Sequence, residues 1–357
     1  SSGWIVDKAA SIGVKGSKHK ECTACKKILE TAEIPALSRI SILKASVTLS
    51  TSIYAYDGKA KKPGVTVKLN GKTLKNGTDY IASYSNNTKV GTAKVTIKGK
   101  GNYTGSVSKT YSIKNNFKKA TVSGISTKAF TGKNITQSIT VKYNGKTLKK
   151  GTDYTVSYSN NKSIGTATVK ITGKGSYTGT ITKTFKINPA KQEIQKLTAK
   201  SKAFFVDWAQ KGSATGYDIQ YSTSANMSGA ASKHLTANKP DNLTISGLTA
   251  DKTYYVRVRS YTNVGSKTYY GPWSDIKNIK TAKYDITKAS VSGISTKAYT
   301  GKAITQNITV KYNGTALKNG TDYTTSYSNN KKIGKAIVKI TGKGKYGGII
   351  TKNFTIN

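Results

Sequence analysis

Cys22 and Cys25 stand three residues apart, and His19 precedes them by another three. Two thiols at that spacing can close a local disulfide, share a metal or act as a redox dithiol. A structural zinc needs four ligands, and this segment offers only His19, Cys22 and Cys25. Two readings therefore stay open, a Cys22–Cys25 disulfide and a partial metal knuckle. Redox catalysis would call for a βαβ setting, which the neighbouring residues do not spell. The only other histidine, His234, has no plausible set of catalytic partners around it in sequence. Asp79, Asp153 and Asp322 each sit in a Gly-Thr-Asp-Tyr segment. Hydrolysis by paired carboxylates needs two acids converging on one bond. A single Asp recurring at a turn reads instead as a hydrogen-bonding turn residue. Gly-Lys-Gly at 99–101, 173–175 and 342–344 could cradle a phosphate only if it opened a helix, and β-type sequence flanks it. No catalytic residue and no cofactor are expected, and the chain reads as a non-enzyme.

The elements that carry these residues are repeated. Residues 70–113, 144–187 and 313–356 share NGxxLKxGTDY, YSNN and GKGxYxG in register. Within a copy the apolar residues alternate: Val65, Val67 and Leu69 against Thr66 and Lys68, then Val95 and Ile97 against Lys94, Thr96 and Lys98. Period two with β-branched residues predicts half-buried strands. Asn-Gly at 70–71, 144–145 and 313–314 predicts tight hairpins between them. Short strands with frequent turns predict small immunoglobulin-like sandwiches. The predicted class is all-β, a tandem and elongated array. Its boundaries are a small module at 1–37, repeats at 38–114, 118–188 and 286–357, and a different domain at 190–283.

The chain has 357 residues and a formal net charge of +44, from 59 Lys and Arg against 15 Asp and Glu. Only Arg39, Arg257 and Arg259 are arginines, so the charge is nearly all lysine. Lysine is a hydrated point charge that does not read bases bidentately. That favours attraction to polyanionic surfaces over specific nucleic-acid recognition. It equally describes a solvated coat that keeps strand edges apart. No run of about 18 apolar residues occurs, so no membrane insertion is expected. No signal peptide is visible either, and the sequence reads as a piece of a longer protein.

Residues 190–283 resemble a fibronectin type III domain. The likeness rests on Trp208 in AFFVDWAQ, the strand GYDIQYS, the segment GLTADKTYYVRVRSY and GPWSD. It implies that Trp208 is core and that Tyr254 anchors a tyrosine corner. The motifs NGKTLKNGTDY, YSNN and GKGxYxG resemble bacterial immunoglobulin-like repeats of surface and secreted proteins of gut Firmicutes. KHKECTACKKILETAEIPAL resembles a Cys-x-x-Cys module of such proteins, lacking the further upstream cysteine usual there. These resemblances imply an extracellular, cell-surface location and a monomeric binding or stalk region. Its partner would be a host protein (immunoglobulins included), a glycan or an anionic wall polymer. The alternatives are the wall- or mucin-targeting region of a secreted hydrolase and a polyanion binder. With 23 tyrosines against 6 phenylalanines, binding would draw on Tyr. The candidates are Tyr54 and Tyr56, where the copies differ, and Tyr269 and Tyr270, expected in a loop.

Overall fold

The computed structural model describes residues 1–357, which form β-strands and two single 3-10 turns, Phe117–Lys119 and Ile286–Lys288. Two compact units divide the chain. One is Ser1–Ile125 with Gln137–Ser159 and Thr168–Lys183; the other is Ser126–Thr136 with Asn160–Ala167 and Thr184–Asn357. The second repeat contributes to both.

The first unit opens with an antiparallel sheet of Ile5–Lys8, Gly16–Glu21 and Ile28–Ile34. Its side chains do not alternate between buried and exposed, so it has no core of its own. The first repeat does. Ser46–Leu49, Val65–Leu69 and Lys72–Leu74 form one sheet. Tyr80–Ser85, Gly91–Gly99 and Ser106–Asn116 form the other, and Ile53–Ala55 runs parallel to the last of these. The alternation places Val67, Leu69, Val95 and Ile97 inside with Tyr111 and Ile113. Thr66, Lys68, Lys94 and Lys98 face out.

Turn chemistry fixes the register in every copy. Asn70, Asn144 and Asn313 have φ of 48, 47 and 48°, and the following Gly71, Gly145 and Gly314 have 81, 80 and 80°. Positive φ at both central residues is the turn that matches strand twist, and Asn-Gly is the pair that tolerates it. The recurrent Asp then caps the next bend. Asp79 accepts the Lys75 N–H at 2.8 Å, Asp153 that of Lys149 at 2.8 Å, and Asp322 that of Lys318 at 2.9 Å. The Gly-Lys-Gly lysine folds back on the same bend. Lys100 Nζ donates to Gly77 O at 2.7 Å, Lys174 to Gly151 at 2.9 Å, and Lys343 to Gly320 at 2.6 Å. In YSNN the last Asn ties down the loop ahead of it: Asn87, Asn161 and Asn330 Nδ2 donate to Lys61, Ile135 and Ile304 carbonyls at 3.1, 2.8 and 2.8 Å.

Two features lie outside what the residue pattern predicts. The segment entering each copy adds a short parallel pair beside the tyrosine of GKGxYxG. Ile40–Ser41 lies along Tyr103–Thr104, Asn115–Asn116 along Tyr177–Thr178, and Tyr284–Asp285 along Tyr346–Gly347. A second parallel pair joins an early segment to the closing strand. Residues 53–55 pair with 112–114, 128–129 with 187–188, and Lys297 with Ile356.

In the second unit, Ile194–Lys200, Ala203–Trp208 and Asn242–Ile245 pack against a sheet of Ala231–Leu235, Gly216–Ser222, Thr253–Val264 and Lys267–Tyr270, to which Lys277–Lys280 adds. Trp208, Phe204, Tyr217, Val256 and Val258 are its centre, each fully buried. The tyrosine corner forms as expected: the Thr249 N–H donates to the Tyr254 hydroxyl at 3.1 Å. The third copy repeats the core of the first, with Val310, Val338, Ile340 and Ile356 buried.

Candidate binding site

The cysteine pair lies at the tip of the hairpin between Gly16–Glu21 and Ile28–Ile34. The turn closes through Cys22 N–H to Lys27 O at 2.8 Å and Lys26 N–H to Cys22 O at 2.9 Å. Both thiols are free. Donors from Cys25, backbone and thiol, and from the Ala24 N–H converge on Cys22 and lower its pKa. His19 does not join them. Its Nδ1 pairs with Asp7 Oδ1, two strands of the small sheet supplying the two partners. His19 is held on the strand by Asp7 while both cysteines lie beyond the strand end, and no group of three or more His, Cys, Asp and Glu forms there. The three candidate ligands His19, Cys22 and Cys25 are therefore not brought together as one site.

Tyr54 and Tyr56 are half-buried against the first core. Tyr54 meets the Tyr111 ring edge-on at 5.9 Å. Tyr269 and Tyr270 lie on the strand Lys267–Tyr270 rather than in a loop, so they point to opposite sides. Tyr269 is 7% exposed, with its hydroxyl 2.9 Å from Thr166 Oγ1, and its surface is spent on packing. Tyr270 remains 41% exposed.

Tyr270 belongs to a ladder of side chains missed by reading the sequence. The Arg259 guanidinium carbon lies 4.1 Å from the Tyr270 ring centre and 4.4 Å from that of Trp273, and Arg257 lies 4.6 Å from Trp273. Asp218 orients Arg259, accepting Nε and Nη2 on Oδ2 at 2.9 Å each. Its other oxygen meets His234 Nδ1 at 2.6 Å, and His234 stacks on Tyr261 at 4.8 Å. Arg257 is held in turn by Gln220 Oε1, at 3.0 and 2.7 Å. Two of the chain's three arginines are thus fixed over aromatic rings, where a planar, weakly hydrated guanidinium can stack and still keep its hydrogen bonds. Alternation could have flagged it: Arg257 and Arg259 share the outward face of Thr253–Val264, across from Gln220 and Asp218 of Gly216–Ser222. The ladder borders a groove of about 530 Å³ whose walls include Lys128, Asn188, Arg259, Tyr270 and Trp273. Nothing in this set pairs a nucleophile with a base. It offers rings, cations and an amide, which is equipment for binding.

Residues 189–276 match the fibronectin type III domain family. No curated protein matches the chain. Among solved structures, a protein described as a myokine is similar at 15% identity, over 27% of this chain and 99% of its own, with a TM-score of 0.23. The fibronectin type III domain of human contactin 1 is similar at 17% identity, over 27% and 80%, with a TM-score of 0.22. Domains A168–A170 of titin are similar at 11% identity, over 66% and 99%, with a TM-score of 0.23. The family match and the two-sheet architecture agree for the segment that holds the ladder: it is a fibronectin type III domain, set among immunoglobulin-like sandwiches in an all-β chain.

Proposed function

We propose that the chain is an extracellular, non-catalytic binding and spacer region of a bacterial surface protein, one that presents a ligand-binding face on rigid sandwiches. The observation that carries this reading is the fate of the repeated motifs. The recurrent Asp, the Gly-Lys-Gly lysine and the last Asn of YSNN are each absorbed in a cap or a loop tie in all three copies. Copies built that way serve as scaffold, and function is then to be sought where side chains are left free of the fold. The partner class is a host protein, a glycan or an anionic wall polymer. The lysine surface supports the last of these. Lys331, Lys332 and Lys335 gather at one groove of about 480 Å³ in the third copy, with no acid on its walls.

The test is the full chain, immobilised, against three sets of probes: host extracellular proteins with immunoglobulins, mucin glycans, and teichoic-acid-type polymer beside DNA. Saturable binding to one set, surviving physiological salt, supports a binding region. Equal, salt-labile binding to teichoic polymer and DNA reduces it to charge attraction. Hydrolysis of any probe by the isolated chain overturns the non-catalytic reading.

A further inference from the structure

We propose that the groove bordered by Lys128, Asn188, Arg259, Tyr270 and Trp273 binds an acidic saccharide, a sugar ring carrying a carboxylate. This rests on the reading of the chain as a binding region and names the site and ligand class within it.

Charge comes first. No Asp or Glu lines the groove. Arg259 spends Nε and Nη2 on Asp218, and its Nη1 has no acceptor. Lys128, half-buried and also lining the groove, has no anionic partner. Asp218 offsets one of the two cations, so the groove keeps an excess of about one positive charge and two sets of unused donors. A single carboxylate balances that, and partly desolvated walls strengthen the pairing relative to open water.

Shape and ring chemistry narrow the class further. About 530 Å³ falls within the range of small-ligand sites. Tyr270 is 41% exposed, yet it is held on a strand against Arg259. Trp273 is held against Arg259 and Arg257. Rings fixed in this way lose little freedom on binding. The C–H groups on one side of a pyranose carry partial positive charge and complement the negative face of such a ring, on Tyr270 the face turned away from Arg259. Asn188 supplies the polar element. It lines the groove, and its Oδ1 has no hydrogen-bond donor in the protein, so it retains an unused acceptor. Inorganic anions have no use for the rings. A nucleic acid would need a longer track of phosphate contacts than these two cations provide.

The experiment titrates the full chain with trigalacturonic acid and with its uncharged methyl ester, by calorimetry and by tryptophan fluorescence. The acid is expected to bind saturably, and the ester at least about tenfold more weakly, the worth of one charge-assisted contact. Lys128→Met and Tyr270→Ala should each weaken the acid by about tenfold, while Tyr270→Phe should keep most of the affinity. Melting curves of each variant guard against loss of the fold. Equal binding of acid and ester overturns the assignment, as does wild-type affinity in both Lys128→Met and Tyr270→Ala. If the chain captures another probe of the wider panel and Tyr270→Ala leaves that capture intact, this site falls and the binding region stands. If the chain captures nothing at all, both fall.

Discussion

A repeated aspartate is the most economical residue in this protein. Asp153 accepts one backbone N–H at 2.8 Å and is only half-buried, so it acts as a local cap rather than a core charge. Removing it in Asp153→Ala should cost about 1 kcal/mol, and Asp153→Asn less, because the amide oxygen still accepts. In calorimetry of the full chain that moves one domain's transition down by about 4–8 °C. Asp285 adds an acid-sensitive point. The Thr287 hydroxyl and N–H, at 2.7 and 3.0 Å, hold its carboxyl below the usual carboxylate range. A depressed folded value means that its contribution is complete above the unfolded value and disappears as pH falls through the folded one. The second copy has Asn116 in the equivalent role, accepting Lys118 N–H at 3.1 Å, and cannot titrate. Acid should therefore shift the third copy's transition more than the second's, and Asp285→Asn should remove that difference in scans between neutral pH and about pH 3. At the hairpin tip, the converging donors on Cys22 predict faster alkylation of Cys22 than of Cys25 at neutral pH, read by peptide mass spectrometry.

Among the elements, strands and hairpins are the most open to inspection from letters alone. Val67, Val95 and Ile97 announce their burial by alternation, and Asn-Gly announces its turns, because both signals are local. The entry pairs are not readable. Asn115 and Tyr177 are far apart in sequence, and neither carries a residue type that marks a parallel pair. The arginine ladder is hidden for a related reason: Asp218 and Arg259 meet only once two strands have been set in register, 41 residues apart in sequence. The candidate tyrosines show the same limit. Tyr269 and Tyr270 look alike in sequence, and strand pleat alone sends one into packing and leaves the other facing the groove. A Cβ on Gly124 would lie 2.0 Å from Ser138 O, and on Gly293 2.1 Å from Asn307 O, whereas one on Gly145 meets nothing within 4 Å. Gly124→Ala and Gly293→Ala should cost more than Gly145→Ala. The last bears only the strain of positive φ, on the order of 1 kcal/mol, and urea midpoints of the three variants give the order.

For the molecule as a whole, the connectivity of the sandwich copies matters more than any one side chain. The parallel pair that joins an early segment to the closing strand in each copy has a mechanical consequence. In the first copy, Ser112 N–H donates to Ser52 O and Tyr56 N–H to Lys114 O, both at 2.8 Å. The chain enters a copy upstream of one of these strands and leaves it downstream of the other. Tension on the two ends would therefore slide them past each other and load their hydrogen bonds together, in shear, where an antiparallel hairpin pulled from its open end would unzip, breaking its bonds in succession. Ser112→Pro deletes the first of those bonds. In single-molecule stretching of the full chain, one rupture peak should fall to lower force while the others keep theirs. A polypeptide that resists pulling in this way is suited to tethering, whatever it holds at its far end.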